Sequence, residues 1–199
     1  MTATTTRTDP VALRQRAVLR VRMLPVACLV GALLPAAARA GDLAQALLKS
    51  PSATAVLQAR CDRISSARIR ITAEQLRDAG GPPALDVHRL LDLPAADPVV
   101  LRHVRLHCGT MVLSEAWNWY APERLTPMMN ETLERTETPF GRAVAATHFT
   151  RTRIASVSLD PRASGGMTLQ NTAVLHRASD DAPIALVVER YDDRVPAQR

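Results

Sequence analysis

The sequence predicts an α+β domain, a single antiparallel sheet of about five or six strands with helices packed on it. Three observations predict it. Val99 to Pro122 reads as a hairpin whose first strand alternates with period two. Three more strand-like stretches close the chain, His148 to Leu159, Thr168 to Arg177 and Pro183 to Asp192. The helical patterns are grouped before and between these strands, which suits an α+β arrangement. No glycine-rich strand-to-helix turn is present, so a doubly wound nucleotide-binding fold is excluded.

The chain has 199 residues, enough for a leader and one domain. Residues 1–40 predict a signal peptide, and residues 41–199 the folded domain. Arg14, Arg16, Arg20 and Arg22 form a basic opening, and Met23 to Ala37 is apolar and uncharged. Ala38-Arg39-Ala40 then fits small-x-small cleavage, with Gly41 as the mature start. The apolar run is shorter than the roughly 20 residues that span a bilayer, and two prolines interrupt it. The expectation is therefore export to the periplasm or beyond, with no stable membrane span after cleavage.

The formal charge of +6 is concentrated in this leader, where six arginines stand against Asp9 and leave +1 for the rest. With no basic run in the folded part, nucleic-acid binding is not expected. Cys61 and Cys108 remain after cleavage. An oxidising compartment permits a disulfide between them, and two separate buried thiols are the other reading.

Asp42 to Gln58 reads as helix, with Leu43, Leu47 and Leu48 as its apolar stripe and Ser50-Pro51 as an interruption. Ala67 to Thr72 alternates and predicts a strand. Residues 78–98 are rich in Asp, Pro and Gly and predict a connection with one short helical turn. In the hairpin, Gly109-Thr110 is the expected turn. Thr126 is the expected cap of a helix with Pro127 at its first position and Met128, Met129 and Leu133 on its apolar side. A break at Thr136 to Gly141 precedes a short helix over Arg142 to Ala146.

The chemistry is read from charged residues on apolar strands. Val100, Arg102, Val104, Leu106 and Cys108 share one strand face, apolar except for the arginine. A buried guanidinium stays charged and needs an anion. With Gly109-Thr110 as the turn, Arg102 faces Trp117 and lies diagonal to Glu115. The anion is then either Glu115 or a ligand carboxylate held bidentate under an apolar roof. Glu189 ends the apolar run Pro183 to Val188 and shares a face with Ala185, Val187 and Tyr191. Two roles are open for it: a general acid raised by desolvation, or the partner of Arg151 or Arg153. The N–H groups opening the helix at Phe140 form a possible anion site. His103 and His107 lie roughly 13 Å apart along one strand, too far for a shared metal. Ser114 and Ser156 have no identifiable base, and Trp117 and Trp119 read as packing residues.

These places together resemble the chorismate lyase (chorismate pyruvate-lyase) family over roughly residues 50–196. LRHVRLHC resembles the family strand that carries the carboxylate-binding arginine, here Arg102. RLTPMMNETLERTETPFGR resembles its helix and Thr-Pro-Leu-Gly-Arg segment, THFTRTRI its Leu-Thr-Arg strand, and PIALVVERYDDRVP the last strand with its glutamate, here Glu189. The resemblance implies cleavage of chorismate, or a related enolpyruvyl compound, to 4-hydroxybenzoate and pyruvate without metal or cofactor. It implies that Arg102 and the Phe140 N–H hold the ring carboxylate and that Glu189 protonates the para oxygen. The family's flap methionine falls nearest Ala53. Two alternatives remain: a non-catalytic periplasmic binder of aromatic carboxylates, and a structural envelope protein closed by Arg102–Glu115.

Overall fold

The computed structural model describes residues 1–4, 37–77 and 85–193. Internal contacts divide the chain into Met1–Leu33 and Leu34–Arg199, and the account below concerns the second unit. The expected leader lies outside the described residues from position 5 to position 36, as does the turn-rich stretch 78–84. Among the described residues no helix is long and apolar enough to cross a membrane.

The elements run α1 (Ala37–Lys49), α2 (Ala53–Ile64), β1 (Thr72–Gln75), α3 (Val87–Leu90), β2 (Val100–Cys108), β3 (Met111–Tyr120), α4 (Pro127–Arg135), α5 (Phe140–Ala143), β4 (Thr150–Ser158), β5 (Leu169–His176) and β6 (Pro183–Tyr191). The six strands form one antiparallel sheet in the order β1-β2-β3-β6-β5-β4. The α+β expectation therefore holds.

One face of the sheet is covered by helices. Leu43 and Leu47 of α1 and Leu57 of α2 pack on Val104, Leu106, Ala116 and Tyr191. Leu133 of α4 and Phe140 of α5 pack on Tyr120, Ala173, Ala185 and Val187. The opposite face is covered at one end by α3, where Leu91 meets Val174 and Leu186. Cys61 and Cys108 form a disulfide with Cα atoms 5.6 Å apart, tying α2 to the end of β2 across 47 positions. Closing a loop of that length contributes about 4 kcal/mol on the chain-entropy account.

Helix boundaries follow the capping chemistry. Ser52 caps α2 by accepting from the Ala55 N–H, and Thr126 caps α4 by accepting from the Met129 N–H. The interruption expected at Ser50-Pro51 divides the 42–58 stretch into two helices, and the second continues to Ile64. Met128 faces solvent rather than the core, and α5 begins two residues before the expected helix. The predicted strand over 67–72 is not one; the ladder begins at Thr72. Its backbone groups are engaged by side chains instead. Gln58 donates to the Ile69 carbonyl and accepts from the Ile71 N–H, and Arg142 donates to the Ile71 carbonyl.

The hairpin turn is Gly109-Thr110 as predicted, with Gly109 at φ +60° where a side chain is strained. The register beyond it differs. His107 pairs with Val112, but Leu106 pairs with Ser114, so Leu113 is an extra residue on β3. One bulged residue moves every later pairing by one. Arg102 consequently faces Asn118, while Trp117 faces His103 and Glu115 faces Arg105.

Candidate functional site

Arg102 lies on the covered face and is 4% exposed. Its Nη2 donates to the Thr136 carbonyl at 3.2 Å and the Thr138 carbonyl at 3.1 Å. Its Nε and Nη1 are buried and have no partner. Burial pulls its pKa below the usual guanidinium value, and the nearby Tyr120 hydroxyl offsets this only in part. The pairing with Glu115 does not occur. The bulge puts Glu115 on the other face, where it meets His103 Nε2 at 2.8 Å and Arg105 Nε at 3.5 Å. A structural reading that closes Arg102 on Glu115 therefore fails.

A carboxylate gripped by two parallel bonds uses neighbouring N–H groups on one edge of the guanidinium. Both forked edges of Arg102 include Nη2, whose two hydrogens already serve Thr136 and Thr138. A bidentate grip requires one of these carbonyls to give way. Nε and Nη1 stay open for single bonds.

Glu189 is buried on the same face, and its Oε2 takes two donors. Arg151 reaches across from β4 to form an ion pair with it, and the Tyr191 hydroxyl donates to its Oε2 at 2.8 Å. Burial lowers the Arg151 pKa, but the charge and hydrogen bond of Glu189 outweigh it and the net shift is upward. Burial and the adjacent Glu189 charge raise Tyr191 well above its ordinary value. Of the two roles left open for Glu189, the ion pair with Arg151 is the one formed. It is not an isolated carboxyl in apolar surroundings.

Phe140 opens α5 directly after the Thr136–Thr138 segment that touches Arg102. The α2 N-terminus presses on this turn. A Cβ at Gly141 would meet Thr54 Oγ1 at 3.0 Å and Ser52 Oγ at 3.3 Å. Between these elements lies a cavity of about 20 Å³, lined in part by Ala53, Asn118, Phe140, Phe149, Arg151 and Glu189. That is room for a water, whereas a dry cavity that admits benzene is on the order of 150 Å³. The structure thus brings Phe140 and Glu189 to one cavity, with Arg102 opposite the wall residue Asn118. It leaves that cavity too small for an aromatic ring.

Sequence reasoning missed Asn118 and Phe149. Asn118 was hidden by the bulge, since the simple register puts it on the other face. Ala53, the position nearest a flap methionine, does line the cavity but offers only a methyl group. Among the described residues no cluster of His, Cys, Asp and Glu could hold a metal ion.

No protein-family model matches the chain. The uncharacterized protein y4mC of Sinorhizobium fredii is 36% identical over 170 residues, spanning 75% of this chain and 71% of that protein. The chain belongs to the same family as y4mC. Among solved structures, the effector domain of PhnF from Mycobacterium smegmatis aligns with TM-score 0.49 at 15% identity, over 72% of this chain and 90% of that one. A GntR-family transcriptional regulator from Enterococcus faecalis aligns with TM-score 0.44 at 11% identity, over 61% and 93%. YydK from Bacillus subtilis aligns with TM-score 0.47 at 10% identity over 68% of this chain, which spans 65% of that protein.

Proposed function

We propose that this member of the y4mC family binds a small aromatic carboxylate on the helix-covered face, between Arg102 and Glu189, as a chorismate lyase-like binding domain without turnover. The observation that carries the reading is Arg102. A guanidinium in this setting stays charged, and no carboxylate of the chain acts on its charge. Two of its three nitrogens have no hydrogen-bond partner. Leaving such donors buried costs free energy, which an entering carboxylate recovers. The N–H of Phe140 supplies a second donor beside it. Thr136 and Thr138 act as placeholders, and α5 with the α2 N-terminus moves aside to admit the ring.

Binding is preferred to cleavage because of Glu189. Its Oε2 already accepts from Arg151 and from the Tyr191 hydroxyl, which holds it in place as an acceptor. It suits a hydroxyl on the ligand's far end. Chorismate cleavage is the second reading, favoured by the place of Glu189 in the wall of the same cavity as Phe140. No cofactor enters either reading.

We extend the proposal to export with cleavage after Ala40. The leader pattern supports it, and so does the Cys61–Cys108 disulfide, which persists in oxidising compartments. Mass spectrometry of the mature N-terminus tests this: a chain that keeps Met1 in the cytosol overturns it. For the site, calorimetry with 4-hydroxybenzoate is the test, paired with a pyruvate-release assay on chorismate. Binding with no pyruvate is expected. Pyruvate release abolished by Glu189→Gln selects the lyase, and folded protein that neither binds nor cleaves overturns both readings.

A further inference from the structure

We infer that Asn118 selects which carboxylates the site accepts, by hydrogen-bonding a ring hydroxyl on the half of the ligand nearer its carboxylate. This inference rests on the carboxylate site proposed above and deepens it.

Asn118 sits in the middle of β3, and β3 lies inside the sheet between β2 and β6. It is 3% exposed, and its side chain lines the cavity. Its neighbours on that face are Ala116 and Tyr120 along the strand, Val187 across on β6 and Arg102 across on β2, with Glu189 diagonal. Its carboxamide bonds to no other described side chain or backbone group. It does not serve Arg102 either, although the two are directly paired across β2 and β3, since Arg102 Nε and Nη1 lack partners. A valine at this position would suit a central strand better. The carboxamide therefore has no structural task in the closed protein, and it faces the space the ligand must enter.

Register fixes what it can read. Asn118 is directly opposite Arg102, whereas Glu189 pairs with Ala116, one side-chain repeat further along β3. Directly opposed side chains are roughly 5 Å apart and diagonal ones roughly 7–8 Å. A ligand with its carboxylate on Arg102 and its far oxygen toward Glu189 passes Asn118 close to the carboxylate end. A carboxamide both donates and accepts, so its natural complement there is a hydroxyl. Sites built to bond a hydroxyl discriminate strongly against analogues that lack it, because their own polar group is left unpaired.

The test uses the full chain, with Asn118→Val and Asn118→Ala as variants and Arg102→Met as a control. Benzoate, 3-hydroxybenzoate, 4-hydroxybenzoate and 3,4-dihydroxybenzoate are titrated by calorimetry, and thermal unfolding is followed without ligand. The unaltered protein is expected to prefer each 3-hydroxylated compound to its partner lacking that hydroxyl by about tenfold. Asn118→Val should bring this ratio close to one, with benzoate binding no more weakly than to the unaltered protein, and should unfold at a higher temperature. An unchanged ratio in both variants overturns the inference and leaves the carboxylate site standing. So does a lack of preference in the unaltered protein. If both variants unfold at lower temperature or fail to fold, the carboxamide is structural and the inference is wrong. If the unaltered protein binds none of the four compounds, the carboxylate reading itself has failed and this one falls with it.

Discussion

The two faces of the sheet treat their charges differently, although the same strands supply both. On the α3 face, alternate residues of β2 and β3 close on one another. His103 stacks on Trp117 with ring centroids 4.4 Å apart, Glu115 takes both His103 and Arg105, and the Arg190 guanidinium lies 5.0 Å over the Trp117 ring. The groups left unpaired there, His103 Nδ1 and the Trp117 indole N–H, belong to rings already held by stacking. On the helix-covered face the intervening residues include Arg102 and Asn118. Arg102 carries an unbalanced charge, and Asn118 an unbonded amide. A face that answers its own charges is finished by folding; the face that leaves a guanidinium open is where the proposed ligand would bind.

Perturbing each face in turn sharpens that contrast. The largest effect is expected at Glu189→Leu, which strands the Arg151 guanidinium in the core. Removing one partner of a buried pair costs about 3–5 kcal/mol, read as a lower urea midpoint at unchanged slope. Arg102→Met should leave folding largely intact yet weaken 4-hydroxybenzoate by at least about thirtyfold, since losing half of a desolvated charged contact costs about 2–5 kcal/mol. If calorimetry shows equal affinity in this variant, the open guanidinium is not the anchor and the contrast between faces loses its functional meaning. Arg105→Ala removes a half-exposed ion pair on the closed face and should cost under about 1 kcal/mol in the same denaturation assay.

The smallest effect belongs to the surface. Two hydrogen bonds from Arg177 hold the Asp180 carboxyl at about 2, below its ordinary 3.8. A carboxyl lowered on folding stabilises above its ordinary value, and that contribution disappears as pH falls through about 2. Asp180→Asn should therefore differ slightly from the unaltered protein near pH 5 and match it below about pH 2, with urea midpoints as the readout. A difference that persists in acid would mean the two residues interact by something other than charge.

Much of the fold is legible in local pattern. Alternation marks β2, a continuous apolar run marks β6, Thr126-Pro127 marks the start of α4, and Gly109-Thr110 marks the hairpin turn. Each signal is carried by residues close in sequence, where backbone geometry and capping chemistry act directly. Local pattern also singled out Arg102 and Glu189, because a charge on an otherwise apolar strand is visible without knowing its neighbours.

Their partners were decided elsewhere. The bulge at Leu113 exchanges Trp117 for Asn118 opposite Arg102, and nothing in the alternation reveals it, because tryptophans flank Asn118 on either side. Gln58 and Arg142 engage the 69–71 backbone from α2 and α5, so a stretch with a strand's pattern never joins the ladder. Arg151 finds Glu189 from a different strand, and Cys61 finds Cys108 across 47 positions. The sequence alone determined which residues are out of place on their strands. Only the tertiary structure decided which were answered, because a one-residue slip in register reverses the faces and long-range partners meet only once the elements have packed.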